Sequence, residues 1–157
     1  TSGESRQGVP MILNDEAATA RLGRAIASQL RTGEAICLSG PLGAGKSTLA
    51  RALVRALTTA NEEVPSPTFT LVQFYEGPRL NVAHFDLYRL TNADEAYELG
   101  LDEALDDGAA VIEWPERLDG QLPRDRLDVV IALGDTRESR EARLSPHGTW
   151  EGRELDV

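Results

Sequence analysis

One short segment of the chain has the residues needed to hold phosphate groups. It runs from Gly40 to Ser47, reads Gly-Pro-Leu-Gly-Ala-Gly-Lys-Ser, and matches the pattern G-x-x-x-x-G-K-[ST]. Glycines let the backbone wrap closely around an anion, while N–H groups of the loop and of the following helix point at it. The pattern predicts that Lys46 bridges the β- and γ-phosphates of a nucleotide and that the Ser47 hydroxyl binds Mg²⁺.

The placement of Lys46 supports this interpretation, because it is the only lysine in the sequence. Positive charge elsewhere comes from arginine, whose forked guanidinium is too bulky to act as a point charge between two phosphates. Guanine-specific GTPases resemble one another in an Asn-Lys-x-Asp motif that reads the base. The chain has no second lysine for such a motif, so ATP is the nucleotide we expect.

Two carboxylates are candidates for holding Mg²⁺ beside the phosphate loop. Asp86 and Glu113 each end an apolar run, and a carboxylate at the end of a neighbouring strand usually serves this purpose. One could bind the metal directly, and the other could act through water or polarise the attacking water. The sequence does not show which residue has which role. The alternatives are that Asp86 is a helix-cap or turn residue and that Glu113 is a solvated strand end.

Four further residues have side chains that could take part in chemistry. Thr68 lies in Ser66-Pro67-Thr68-Phe69-Thr70, where many P-loop enzymes have a first switch, and could reach the γ-phosphate or Mg²⁺; a plain turn is the alternative. His84 and His147 lack a metal-like cluster, so we expect His84 to be hydrogen-bonded near a hairpin and His147 to lie in a polar tail. Cys37 is interpreted as a small core residue.

The elements that must position these residues alternate between helix and strand. Asn14 can cap a helix over about 15–31, a second helix follows the loop over about 46–60, and apolar runs end in strand-like segments. This order predicts an α/β fold resembling P-loop NTPases, with a mixed sheet, flanking helices and an antiparallel hairpin. Short helices are expected around 93–99 and 101–105, and strands over 35–39, 69–75, 80–86, 109–114, 127–133 and 140–144.

Composition places the chain among single-domain globular proteins. It has 157 residues, 41% of them hydrophobic, and a net charge of -10 from 26 acidic and 16 basic residues. We expect residues 1–8 to be a flexible leader or a remnant of expression and 9–157 to form one P-loop ATPase domain. The acidic balance argues against sequence-independent nucleic-acid binding, so any RNA role would pass through a partner. The sequence has no apolar run of about 20 residues, and we expect a cytoplasmic protein without a membrane segment.

Four motifs together resemble those of a known family. They follow one another with the family's spacing from about Asp15 to Leu133, and they resemble the TsaE (formerly YjeE) family of bacterial ATPases. One such motif would be generic to P-loop proteins, but four in order are specific. The motifs are Gly40 to Thr48, Ser66 to Val72, His84-Phe85-Asp86-Leu87-Tyr88-Arg89-Leu90 and Ile112-Glu113-Trp114-Pro115-Glu116.

The resemblance implies a small P-loop ATPase needed for the threonylcarbamoyl modification of adenosine next to the anticodon of tRNA. In that family the protein binds TsaD, the transferase, and its partner TsaB, and ATP is thought to reset their complex between turnovers. It would meet tRNA only indirectly. The resemblance implies a Mg²⁺ shell of Ser47, Asp86 and Glu113, a switch threonine at Thr68, and nucleotide contacts from Gly43, Ala44, Gly45, Lys46, Ser47 and Thr48.

Two positions depart from the family's usual pattern. Ser47 stands where many members have threonine, and Pro41 where an acidic or polar residue is common. Neither alters the chemistry, since serine also presents a hydroxyl. We expect Thr68 and Glu113 to orient the attacking water while Lys46 and Mg²⁺ absorb developing charge. No intrinsic arginine finger is evident, so slow turnover alone and faster turnover with partners are expected.

Two other functions fit the same motifs. The first is a small-molecule kinase, in which Arg137, Arg140 and Arg143 would belong to a mobile lid. The second is a nucleotide-gated switch whose bound state, rather than hydrolysis, regulates a partner. Partner and adenine contacts in the segment from Gly134 to Val157 stay unassigned.

Overall fold

A seven-stranded mixed sheet forms the centre of the molecule, as shown by a computed structural model that describes residues 11–41, 43–65 and 71–155. Its strand order is β1-β7-β6-β2-β5-β4-β3. The inner strands β6, β2, β5 and β4 are parallel, whereas β3, β7 and β1 are antiparallel to their neighbours. The strands are β1 (Met11–Leu13), β2 (Ala35–Ser39), β3 (Val72–Tyr75), β4 (Val82–Asp86), β5 (Ala109–Glu113), β6 (Arg126–Leu133) and β7 (Arg140–His147).

In the described ranges, four α-helices cover the two faces of this sheet: α1 (Glu16–Gln29), α2 (Lys46–Leu57), α3 (Asp94–Glu98) and α4 (Leu101–Asp107). Alternate residues of a strand point to opposite faces, and β2 contributes to both cores. Ile36 and Leu38 pack with the residues of α1 and α2, while Ala35 and Cys37 pack with those of α3 and α4. The predicted fold and the buried position of Cys37 are confirmed. In the described part of the chain, no helix is long and apolar enough to cross a membrane.

The helix boundaries differ from expectation for local reasons. Asp15, and not Asn14, is the N-cap of α1: its backbone is extended, and its side chain accepts a hydrogen bond from Ala18 N at 2.8 Å. The second helix ends at Leu57 rather than near residue 60, because Thr58 leaves the helical conformation (φ −114°, ψ −103°). The hydroxyl of Thr58 donates to Val54 O at 2.8 Å and so occupies a carbonyl at the helix end.

The strands also extend beyond the predicted pattern. The edge strand β1 was not predicted, because three residues with only Leu13 buried leave no readable alternation. The predicted hairpin is confirmed as β3 and β4, with Val72 opposite Phe85; its predicted start at 69 lies outside the described residues. His147 does not lie in a polar tail, since it ends β7 with Nε2 3.0 Å from Asp128 Oδ2.

A buried ion pair ties the end of the described chain to the loop before β2. Glu34 is 3% exposed, and its carboxylate accepts hydrogen bonds from Arg153, from the Thr149 hydroxyl and from Arg31 N. Burial favours a raised pKa for Glu34, but the hydrogen bonds from Arg153, Thr149 and Arg31 outweigh it, and the pKa lies below the ordinary 4.5. The ionised carboxylate is therefore the form that stabilises the fold.

Replacing Glu34 with glutamine is expected to lower the free energy of unfolding at pH 7 by about 3 kcal/mol, because Arg153 loses its buried counter-charge. The folded pKa is depressed, so this contribution is fully present above the unfolded value of 4.5 and is lost as pH falls through the folded pKa. Urea unfolding at pH 7 and at several acid pH values measures this. A difference between the wild type and Glu34→Gln that stays constant with pH would contradict it; Glu151→Gln, at an exposed position, is the control.

Candidate active site

The phosphate loop connects the end of β2 to the start of α2, as the sequence predicts. Three of its glycines have positive φ: 142° at Gly40, 81° at Gly43 and 105° at Gly45. Residues with a side chain rarely adopt this backbone conformation. A Cβ at Gly40 would lie 2.2 Å from Ile131 O, so glycine is also required there by the close approach of β6. The loop leads into α2, whose N-terminus has no side-chain cap. The first backbone N–H groups of α2 can therefore donate hydrogen bonds to an anion.

Lys46 lies at the first position of α2 and is 5% exposed. Its Nζ donates to Gly40 O at 2.7 Å and lies 3.6 Å from the centroid of the Trp114 ring. Burial lowers the pKa of Lys46, and the charges of Glu113, Glu116 and Asp86 partly oppose that shift. The ammonium group thus lies under the loop, in the field of carboxylates.

Asp86 and Glu113 lie side by side at the carboxyl edge of the parallel strands. They are register partners on β4 and β5, and Glu113 is also the register partner of Leu38 on β2, just before the phosphate loop. Their exposed fractions are 7% and 4%. Tyr88 N donates to Asp86 Oδ1 at 3.1 Å. The structure therefore brings both predicted carboxylates to the edge from which the loop leaves the sheet.

This donor set fits Mg²⁺ in the manner of nucleotide sites. Among the described residues, no group of three His, Cys, Asp or Glu side chains could hold a metal alone. Mg²⁺ commonly binds one or two carboxylates and takes its remaining oxygens from phosphates and water, so a three-residue cage is not needed. Ser47 is exposed in the first turn of α2, and its hydroxyl is the third candidate ligand beside Asp86 and Glu113.

An aromatic pair borders the carboxylates. Trp114 follows Glu113 directly and has a positive φ of 61°, which turns the chain out of β5 into a short 3-10 helix, Pro115–Leu118. The Trp114 ring lies 4.9 Å from that of Tyr88, tilted by 51°. It therefore packs between Lys46 and Tyr88. Thr68, the predicted switch residue, lies outside the described residues.

Arg140, which the sequence suggested only as part of a kinase lid, contacts the phosphate loop directly. Its Nε donates to Ala44 O at 2.9 Å, and its Nη1 donates to Arg137 O and Ser139 O at 2.8 Å each. The guanidinium thereby joins the start of β7 to the loop carbonyl. A cavity of about 360 Å³ opens beside this contact, lined by Glu16, Gly45, Thr48, Arg137 and Arg140 among others. No sequence motif marks Arg140, since it lies 96 residues from Ala44.

Replacing Arg140 with alanine is expected to weaken nucleotide binding about tenfold, because the Ala44 carbonyl loses a charged donor worth about 1.5 kcal/mol and the loop loses a brace. Arg143→Ala removes the same charge from the same strand and is the matched control. Titration calorimetry with ADP compares the two. Equal affinities in both variants would show that Arg140 does not support the loop.

Comparison with known proteins agrees with this geometry. The sequence model of the family described as "Threonylcarbamoyl adenosine biosynthesis protein TsaE" matches residues 13–142. Proteins named "tRNA threonylcarbamoyladenosine biosynthesis protein TsaE" are similar to the chain. The protein from Rickettsia bellii is 39% identical over 79% of this chain and 86% of its own length. The one from Streptomyces coelicolor is 43% identical over 74% and 82%.

A solved structure is similar as well. The crystal structure of YdiB from Bacillus subtilis superimposes with a TM-score of 0.73 and 28% sequence identity, covering 91% of this chain and 88% of that one. The family match includes the phosphate loop, both carboxylates and Arg140. The chain therefore belongs to the TsaE family, which takes part in the biosynthesis of threonylcarbamoyladenosine in tRNA.

Proposed function

We propose that the chain binds ATP with Mg²⁺, hydrolyses it, and uses this cycle to act on a complex of TsaB and TsaD during tRNA modification. The observation that carries the proposal is the meeting of Lys46, Asp86 and Glu113 at the edge where the phosphate loop leaves the sheet. Phosphoryl transfer to water needs groups that bind the phosphates and groups that hold Mg²⁺ and orient the water. The phosphate loop and the buried lysine can do the first, and the two buried carboxylates can do the second.

Each residue has a role that follows from its chemistry. Lys46 would leave Gly40 O and Trp114 to bind the β- and γ-phosphates, whose charge exceeds that of a carbonyl or a ring face. Ser47, Asp86 and Glu113 would hold Mg²⁺, which neutralises charge on the phosphates when bound. One of the two carboxylates would also accept a hydrogen bond from the attacking water and orient it. The cavity of about 360 Å³ beside Gly45 lies within the size range of small-molecule sites and could take the nucleoside.

Action through protein partners is supported by charge and by the family name. The net charge of -10 repels tRNA at long range, whereas the family works on tRNA modification. A protein that drives a modification without holding the RNA needs a partner that does, and TsaB with TsaD is the partner complex we propose. Because no sequence motif marks an intrinsic arginine finger, the proposal includes slow hydrolysis by the chain alone and faster hydrolysis in the complex.

The proposal is tested by measuring ATP hydrolysis with Mg²⁺, by the chain alone and with its cognate TsaB and TsaD. Stimulation by the partners that Lys46→Ala abolishes is the expected result. Binding of ATP without hydrolysis in every mixture would favour the nucleotide-gated switch instead. Transfer of phosphate to an added nucleoside or metabolite pool would favour the kinase.

A further inference from the structure

A buried histidine contacts the carboxylate of Glu113. His84 lies on β4, is 2% exposed, and its Nε2 is 2.6 Å from Glu113 Oε2. With the proton on Nε2, the ring donates a hydrogen bond to the Glu113 carboxylate, which accepts it. The other ring nitrogen, Nδ1, is buried and has no hydrogen-bond partner among the described residues. The contact with Glu113 is therefore the polar interaction that holds this ring in place.

The geometry of the two strands explains why the contact forms. His84 is the register partner of Val111, and Glu113 follows Val111 by two residues on the same face of β5. His84 also lies two residues before Asp86, so the imidazole sits one step inside the sheet from the two carboxylates. From there the ring reaches across to Glu113, while Asp86 receives the backbone N–H of Tyr88.

We infer that His84 is a positioning residue that fixes the carboxylate of Glu113 for its role beside the phosphate loop. A glutamate has three rotatable side-chain bonds, so contacts with neighbouring groups are needed to select one rotamer. The hydrogen bond from Nε2 holds Oε2 in one position, and we expect Oε1 to be the oxygen that binds a metal or a water. Hydrogen-bond donors that orient a metal-binding side chain act in this way, and their loss lowers metal affinity or activity about 10- to 100-fold.

This inference rests on the proposed function of Glu113 and makes a distinct prediction about two variants. His84→Leu fills the buried space but has no donor, whereas His84→Gln places an amide N–H near the position of Nε2. With TsaB and TsaD present, His84→Leu is expected to lower kcat about tenfold, and His84→Gln to regain most of that loss. The affinity for ADP without Mg²⁺ should stay within about twofold in both, since the loop is untouched.

A purely structural role for His84 gives a different pattern. In that case both variants would lose activity and ADP affinity together, in proportion to the loss of folded protein, or His84→Gln would be as inactive as His84→Leu. Each of these two results would overturn the inference. Far-UV circular dichroism and thermal unfolding of both variants separate misfolding from a change in the site.

A second readout tests the contact without any turnover. The sequence has two histidines, so imidazole ¹H–¹⁵N correlation spectra contain signals from His84 and His147 only. We expect a slowly exchanging Nε2–H signal that persists in His147→Gln, disappears in His84→Gln and shifts in Glu113→Gln. A His84 ring protonated only at Nδ1, or a signal indifferent to Glu113→Gln, would overturn the inference. If the wild type hydrolyses no ATP, the proposed function fails, but this spectrum still decides whether His84 holds Glu113.

Discussion

Replacing Lys46 with alanine is expected to weaken ATP binding about 100-fold. The variant removes the only lysine of the chain, and its ammonium lies under the loop with Nζ 2.7 Å from Gly40 O. Charge-assisted hydrogen bonds to phosphate contribute up to about 3 kcal/mol, which corresponds to about two orders of magnitude in affinity. Titration calorimetry with ATP and ADP, in the presence of Mg²⁺, measures the change directly.

A second variant on the same helix controls for charge and for folding. Arg51→Ala removes a positive charge from α2 at a position away from the loop, and its ATP affinity should stay within about twofold of the wild type. Lys46→Arg keeps the charge but presents a forked group, so it should bind nearly as poorly as Lys46→Ala. Unchanged ATP affinity in Lys46→Ala would refute the phosphate-loop assignment.

Replacing Glu113 with glutamine is expected to separate binding from turnover. The amide has nearly the same size as the carboxylate, so ATP should still bind within a few-fold of the wild-type affinity. Hydrolysis should fall about 100- to 1,000-fold, because the neutral amide neither orients a water as a base nor holds Mg²⁺ as a carboxylate does. Single-turnover hydrolysis with TsaB and TsaD present gives the rate of the chemical step.

Asp86→Asn is the natural companion, because Asp86 is the register partner of Glu113. The Mg²⁺ concentration for half-maximal activity, measured in each variant, shows which of the two carboxylates binds the metal and which acts on the attacking water. The residue whose replacement raises that concentration is the metal ligand. Full multi-turnover tRNA modification by Glu113→Gln would contradict the need for hydrolysis and favour the nucleotide-gated switch.

The parts of the fold that sequence predicts best are those with a local signal. Strand Ala35–Ser39 is continuous and apolar, and the loop that follows carries a fixed motif, so the strand, the loop and the start of α2 at Lys46 were all predicted where the structure has them. Asp86 and Glu113 were found because each ends an apolar run, and parallel neighbours bring such ends together.

The parts that sequence does not predict depend on which strands become neighbours. The contact between His84 and Glu113 joins residues 29 apart, and it follows from the pairing of β4 with β5. The brace from Arg140 requires β7 to begin beside the loop, which nothing near Arg140 indicates. Short elements are missed for a different reason, since β1 has only three residues and owes its structure to pairing with β7.

The single buried lysine has a practical consequence for chemical labelling. An amine-reactive acyl reagent has one side-chain target in this chain, Lys46, whose lowered pKa raises the fraction of free amine at mildly alkaline pH. Acylation requires the 5% exposed amine to leave Gly40 O, appears in a single proteolytic peptide, and is blocked by a nucleotide bound over the loop. The extent of labelling, read by mass spectrometry, thus becomes a footprint of site occupancy, usable inside a larger assembly where calorimetry would sum many binding events.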